Sequence, residues 1–166
     1  MGNEAVHLLF SMNRWEEKKK ILDMLNSGTH IVCDRYAYSG VAYSIAKGLE
    51  FEWCNGADRG LIKPDLTIYF QASADQLSKR NGYGEELFET VEFQRKVEEG
   101  YKNFTRDGIA DKVYMSLSGS NLNNRWINLD LSASPSIDEV HSRIVGIITK
   151  YQKQFASDPE REMLTD

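Results

Sequence analysis

Residues Thr29-His30-Ile31-Val32-Cys33-Asp34-Arg35-Tyr36-Ala37-Tyr38-Ser39-Gly40 run from a β-branched apolar segment into an acid, a base and then a helix-forming stretch. Gly28 before and Asp34 after bound a short buried strand at 29–33, with Cys33 expected inside. Charged residues directly after a buried strand are paired or reach a ligand, and open α/β sheets bind ligands at the carboxyl edge of their strands. A carboxylate and a guanidinium side by side there can hold a metal ion and a phosphate together. A helix-capping Asp34 with Arg35 paired to it is the alternative, and these two residues alone leave it open.

Working outward, Ala37 to Lys47 reads as a helix that Gly48 ends. Upstream, Val6, Leu9, Phe10, Ile21, Leu22 and Leu25 recur at helical spacing across Glu4 to Asn26, with Ser27-Gly28 as the stop. Downstream, Phe51 to Leu61 holds a short helix and Lys63-Pro64-Asp65 a turn. Leu66-Thr67-Ile68-Tyr69-Phe70 is nearly all apolar or β-branched, as a parallel strand covered on both faces should be. Ser73-Ala74-Asp75 caps a helix to about Arg80, and residues 81–86 form a two-glycine loop. Thr90 to Thr105 is helical, with Val91, Phe93, Val97, Tyr101 and Phe104 on or near one face. Val113 to Leu117 allows an extra strand, and Trp126 to Leu131 reads as a third main strand. Ser136 and Glu139 open the last helix as a capping box, and the helix frays after Phe155 into a polar tail at 156–166. Strands alternating with helices imply a parallel α/β sheet, in a single domain of 166 residues.

The formal net charge of −5 argues against a general nucleic-acid surface. No stretch approaches the roughly 18 to 20 apolar residues of a membrane span, and Met1-Gly2-Asn3-Glu4 lacks the parts of a signal peptide. A soluble, cytoplasmic protein with no nucleic-acid and no membrane partner is expected. Cys33 and Cys54 make no disulfide framework and have no metal spacing. His7, His30 and His141 are scattered and read as structural.

Phe10 and Arg14 lie four apart and share a helix face. A ring for stacking beside a guanidinium for hydrogen bonding would suit a planar base, although a core Phe next to a surface Arg is the commoner meaning. The loop at 81–86 suits a water-excluding lid, and a solvated turn explains it as well.

Three linked stretches carry a resemblance. Leu8-Leu9-Phe10-Ser11-Met12-Asn13-Arg14-Trp15-Glu16, then Asp34 to Tyr43, then Lys63-Pro64-Asp65-Leu66, in this order and spacing, look like thymidylate kinase of the eukaryotic type. That family belongs to the P-loop nucleoside monophosphate kinases and transfers the γ-phosphate of ATP, with Mg2+, to dTMP. The resemblance implies that Phe10 stacks on thymine and Arg14 bonds a thymine carbonyl, while Arg35 binds the dTMP phosphate. Asp34 would act through the magnesium or its water shell, and Asp34 and Arg35 would be the catalytic pair. Ser39 and Gly40 would line the base pocket, with Tyr43 under the deoxyribose. Arg80 would lie against the adenine of ATP, flanked on its other side by Asp130, Leu131 and Ser132. Two departures stand out in the lid-like segment 81–90. Phe88 occupies a position where the family has tyrosine, losing a hydroxyl, and residues 81–86 contain no arginine.

The resemblance also implies a homodimer through the helix at 4–26, and leaves a nuclear or mitochondrial location open. No G-x-x-x-x-G-K-S/T occurs in the chain. The expected fold is therefore the family's sheet without its first two strands, and the expected chain is inactive as it stands. In the family the first strand lies centrally, between the strands represented here by 29–34 and 66–71. Without it, unsatisfied backbone groups would each cost about 1 to 3 kcal/mol, against a total stability of about 5 to 15 kcal/mol. A non-catalytic homologue that binds dTMP weakly or pairs with an intact subunit is the alternative reading.

Overall fold

Helix α1 spans Asn3–Asn26 in the computed structural model, which describes residues 1–73, 76, 90–105 and 126–156. Its buried stripe is polar: His7, Ser11 and the mostly covered Arg14 fall at helical spacing and face inward. The His7 ring lies between Ser44 Oγ, 2.8 Å from Nδ1, and the Cys54 carbonyl, 2.9 Å from Nε2. A carbonyl only accepts, so Nε2 carries a proton and donates to Cys54 O. Two of the apolar positions that define the helix in sequence point outward, with Leu9 46% and Phe10 63% exposed. Polar partners on the neighbouring helices, not apolar area, hold α1 in place.

Helix α2, Ala37–Ala46, and helix α3, Phe51–Ala57, follow. Both α1 and α2 end in the same hydrogen-bonded pattern. After α2, Gly48 at φ 95° donates to Ile45 O and Leu49 donates to Ser44 O; after α1, Gly28 at φ 84° donates to Leu25 O and Thr29 to Met24 O. These paired bonds satisfy carbonyls that the last turn leaves open, and glycine takes the left-handed conformation without a Cβ penalty.

Strand β1 is Thr67–Gln71, helix α4 is Val91–Thr105 and strand β2 is Trp126–Asp130. β1 and β2 pair in parallel from Thr67 opposite Trp126 to Gln71 opposite Asp130. Helix α5, Ile137–Ala156, opens on the expected box: Ser136 Oγ accepts from the Glu139 N–H, and Glu139 Oε2 accepts from the Ser136 N–H at 2.7 Å. Ser73 and Gln76 make the same reciprocal pair, while the rest of the expected helix to Arg80, the lid-like residues 81–89, the extra strand at 113–117 and the tail beyond 156 lie outside the described residues.

The core sits where α2, α3 and α4 meet the strand pair. Ala37, Tyr38, Val41, Cys54, Leu61 and Phe104 are buried there, and Trp126 packs against them. Tyr38 meets Phe104 and Trp126 edge-on, with centroids 5.0 and 5.3 Å away. Such aromatic pairs add about 0.5 to 1.5 kcal/mol each beyond the area they bury. At the α2–α4 crossing, a Cβ on Gly100 would lie 3.0 Å from Ala42 O and 3.1 Å from Ala42 Cα. Only a residue without a side chain lets the two backbones come this close, and backbone atoms cannot swing aside. Gly100→Ala should therefore lower stability by about 1 to 3 kcal/mol, read from the midpoint of urea unfolding. An unchanged midpoint would show that the helices separate freely.

Two expectations are corrected. Residues 29–33 form no strand: the segment has no ladder partner among the described residues, and Val32 is 92% exposed. A strand exists only through pairing, so β-branched composition alone cannot make one. Cys33 is accordingly exposed, not buried. β1 also departs from a strand covered on both faces, because none of its residues is fully buried and Phe70 is half exposed.

Candidate functional site

Arg35 takes φ 64°, a left-handed backbone that non-glycine residues seldom adopt. This turn redirects the chain from the 29–34 segment into α2. The side chain then folds back: Nε donates to Ser39 Oγ at 2.8 Å, and the guanidinium lies 4.3 Å from the centroid of the Tyr43 ring. The phenol of Tyr101 of α4 is pushed up by burial, against the lowering effect of Ser39 and Arg35. Phe93 tilts against Tyr43 with centroids 6.0 Å apart. A strained charged residue whose side chain is oriented by a hydrogen bond and a ring makes this turn a candidate site.

A second guanidinium, that of Arg14, lies against Gly40, the residue after Ser39. A Cβ placed on Gly40 would lie 3.0 Å from Arg14 Nη1 and 3.1 Å from Nη2, so the Arg14 plane rests on bare Gly40. Its opposite edge is locked. Nε donates to Asp58 Oδ1 at 3.1 Å, and Nη2 lies 2.9 and 2.7 Å from Oδ1 and Oδ2. Asp58 is wholly buried, and Ser11 Oγ lies 2.7 Å from its Oδ1. Trp15 Nε1 donates to Ala57 O, fixing the end of α3 that presents the carboxylate. Tyr36, at the start of α2, is pushed up to about 12 by burial first, then by Cys33, against the opposing pull of Arg14.

Phe10, one turn before Arg14, is largely exposed, while Asp34 sits exposed in the bend before Arg35. Among the described residues no group of three His, Cys, Asp or Glu is placed to hold a metal ion. A lone carboxylate suits a magnesium that keeps most of its waters and takes its other ligands from phosphates, so Asp34 fits that role and not an all-protein cage. Asp130, Leu131 and Ser132 lie at the carboxyl end of β2: Leu131 donates to Gln71 O at 2.9 Å, Asp130 Oδ1 accepts from the Ser132 N–H, and Gln76 Nε2 donates to Ser132 O. The Ser132 bonds hold the Asp130 carboxyl below its usual range. Arg80 and Phe88 lie outside the described residues.

The structure thus brings Arg14, Arg35, Ser39, Gly40 and Tyr43 together around the first turn of α2. A family model for thymidylate kinase matches residues 1–144. The chain belongs to the thymidylate kinase family. Relatives within the family include the thymidylate kinases of Dictyostelium discoideum, 43% identical over 93% of this chain, and of Plasmodium falciparum, 43% identical over 90% of it. The chain spans 62% and 63% of those two relatives. A solved thymidylate kinase from Candida albicans superposes with a TM-score of 0.70 at 31% identity, over 100% of this chain and 72% of that one. The fold is accordingly the α/β nucleoside monophosphate kinase type, with its parallel strands flanked by helices.

Motif order singles out Arg14 and Arg35 as candidates, whereas nothing local in the sequence points to what orients them: Asp58 belongs to no motif, Ser11 stands inside the first motif stretch, and Phe93 and Tyr101 read only as helix positions. Asp58 lies 44 residues from Arg14, beyond any local spacing rule. The usable signal was chemical: an arginine on a covered helix face needs a carboxylate somewhere.

Proposed function

We propose that the chain forms the dTMP-binding part of a thymidylate kinase, in which ATP phosphorylates dTMP to dTDP. The observation that supports this most directly is the pair of oriented guanidiniums seated on Ser39-Gly40. A mononucleotide needs one cation at its phosphate and a donor at its base, and the two arginines supply these from adjacent positions. Arg35, beside the N-terminus of α2, takes the phosphate. Tyr43, backed by Phe93, sits under the sugar, Phe10 covers the base, and Arg14 bonds a ring carbonyl. Asp130 to Ser132, and Arg80, take the adenine end of ATP. Magnesium bound with ATP supplies charge neutralisation on the transferring phosphoryl group, and Asp34 would hold it through water.

The chain as given carries no phosphate loop motif, and that loop provides most of the phosphate positioning in this class. We therefore expect dTMP binding without turnover. Calorimetry with dTMP, a thermal melt with and without it, and a coupled phosphorylation assay test the proposal together. Binding with a raised melting temperature and no turnover is the expected result. A melt that dTMP leaves unchanged would overturn the binding, and phosphorylation well above background would overturn the inactivity.

The alternative, a non-catalytic homologue that associates with an intact subunit, draws on α1, where Leu8, Leu9 and Met12 are exposed together. The same face is our proposed homodimer contact. No described helix is long and apolar enough to cross a membrane, and the net charge of −5 disfavours a nucleic-acid partner. The cytoplasm is the proposed compartment.

A further inference from the structure

We propose that Asp58 is the positioning residue of the base pocket: by clamping one edge of Arg14, it aims the other edge at a ligand carbonyl and makes the pocket read a keto oxygen. This rests on the reading of the site as a mononucleotide pocket. Arg14 has three faces to account for. Nε and Nη2 are committed to the Asp58 carboxylate at 2.7 to 3.1 Å. The plane is pressed against Gly40, where a Cβ would fall 3.0 Å from Nη1. Among the described residues Nη1 has no protein hydrogen-bond acceptor, and the Arg14 side chain retains 11% exposure. A guanidinium without the clamp would spread its five donors over many rotamers. Held this way, it offers one fixed pair of N–H bonds in one direction.

Three further observations make the clamp rigid. Asp58 has no exposed surface, so its charge has strong reason to stay with Arg14. Ser11 Oγ lies 2.7 Å from Asp58 Oδ1, bracing the carboxylate from α1 itself. Trp15 Nε1 donates to Ala57 O, which pins the backbone immediately before Asp58. Arg14, Ser11 and Trp15 all come from α1, so donor and brace move as one piece.

The chemistry follows from arginine being a donor only. Aimed at an oxygen, Nη1 gains a charge-assisted hydrogen bond; aimed at an exocyclic amino group, it meets another donor. The clamp thus sets selection for a pyrimidine with a carbonyl over one with an amino group, while phosphate capture is left to Arg35. An Arg14–Asp58 pair that served only to tie α1 to α3 would make no such distinction between ligands.

The test is calorimetry on the unaltered chain and on Asp58→Asn with three probes: dTMP, dCMP and 2-deoxyribose 5-phosphate. The unaltered chain should bind dTMP more tightly than the other two. Asp58→Asn should weaken dTMP binding by about tenfold or more, the scale of one charge-assisted hydrogen bond, and shift the sugar phosphate by less than about twofold. Equal losses for dTMP and the sugar phosphate, or no loss for either, would overturn the proposal. If Asp58→Asn does not fold, the unaltered chain still decides it through the 15N signals of the Arg14 side chain. Titrated dTMP should then shift the Nη1 resonance while the Nε–H stays protected from exchange; an Nε–H released on binding would overturn the clamp. Failure of the unaltered chain to bind any of the three probes would sink the mononucleotide reading itself, and the clamp with it.

Discussion

Replacing Arg14 by leucine should lower the stability of the fold by about 3 to 5 kcal/mol, because it leaves the wholly buried Asp58 carboxylate without its cation. Leucine keeps most of the aliphatic stem, so lost packing is a minor part of the effect. Ser11 would remain as the one described donor near the carboxylate, 2.7 Å from Oδ1. Adding Asp58→Asn to the leucine variant should restore part of the loss, since removing both charges avoids the unpaired one. Urea midpoints for the single and double variants measure this. A loss below about 1 kcal/mol would place the pair with ordinary surface ion pairs.

Arg35 should show the opposite separation of stability from binding. Arg35→Gly and Arg35→Ala both remove the proposed phosphate cation, and each should weaken dTMP binding by about 100-fold, the upper range for a bond to a charged group. Both also lose the Ser39 bond and the contact with the Tyr43 ring. They differ at the backbone alone. At φ 64° glycine is at ease and alanine is strained, so the glycine variant should be the more stable by about 1 kcal/mol. Thermal melts of the two variants compare them directly. An alanine variant equal to the glycine one would mean that the turn relaxes without the arginine, and that the strain belongs to the side chain's own hydrogen bond.

The elements defined by local rules were legible in the sequence. Capping and stop residues set α1, α2 and α5 to within about a turn, and Ser136 with Glu139 forms the expected box. The parallel β1–β2 pair and the helix between them follow from alternation of strand and helix patterns. Residues 29–33 show the limit of that reasoning, because β-branched composition states a preference and a ladder requires a neighbour. The site divides in the same way. Arg14, Arg35, Ser39, Gly40 and Tyr43 were legible because motif order carries them, and the structure brings them together. Asp58 was not, since its partner lies 44 residues away and only folding brings α3 beneath α1.

Residues 29–33 carry a practical consequence for handling the protein. Five successive residues, Thr29-His30-Ile31-Val32-Cys33, are strand-prone, contain no Lys, Arg, Asp or Glu, and have no ladder partner among the described residues. Open backbone of this composition templates intermolecular sheet formation, and no lysine or proline lies within it as a gatekeeper. We expect a single Val32→Lys change, at a side chain already 92% in solvent, to slow aggregation of this chain on concentration, as followed by light scattering.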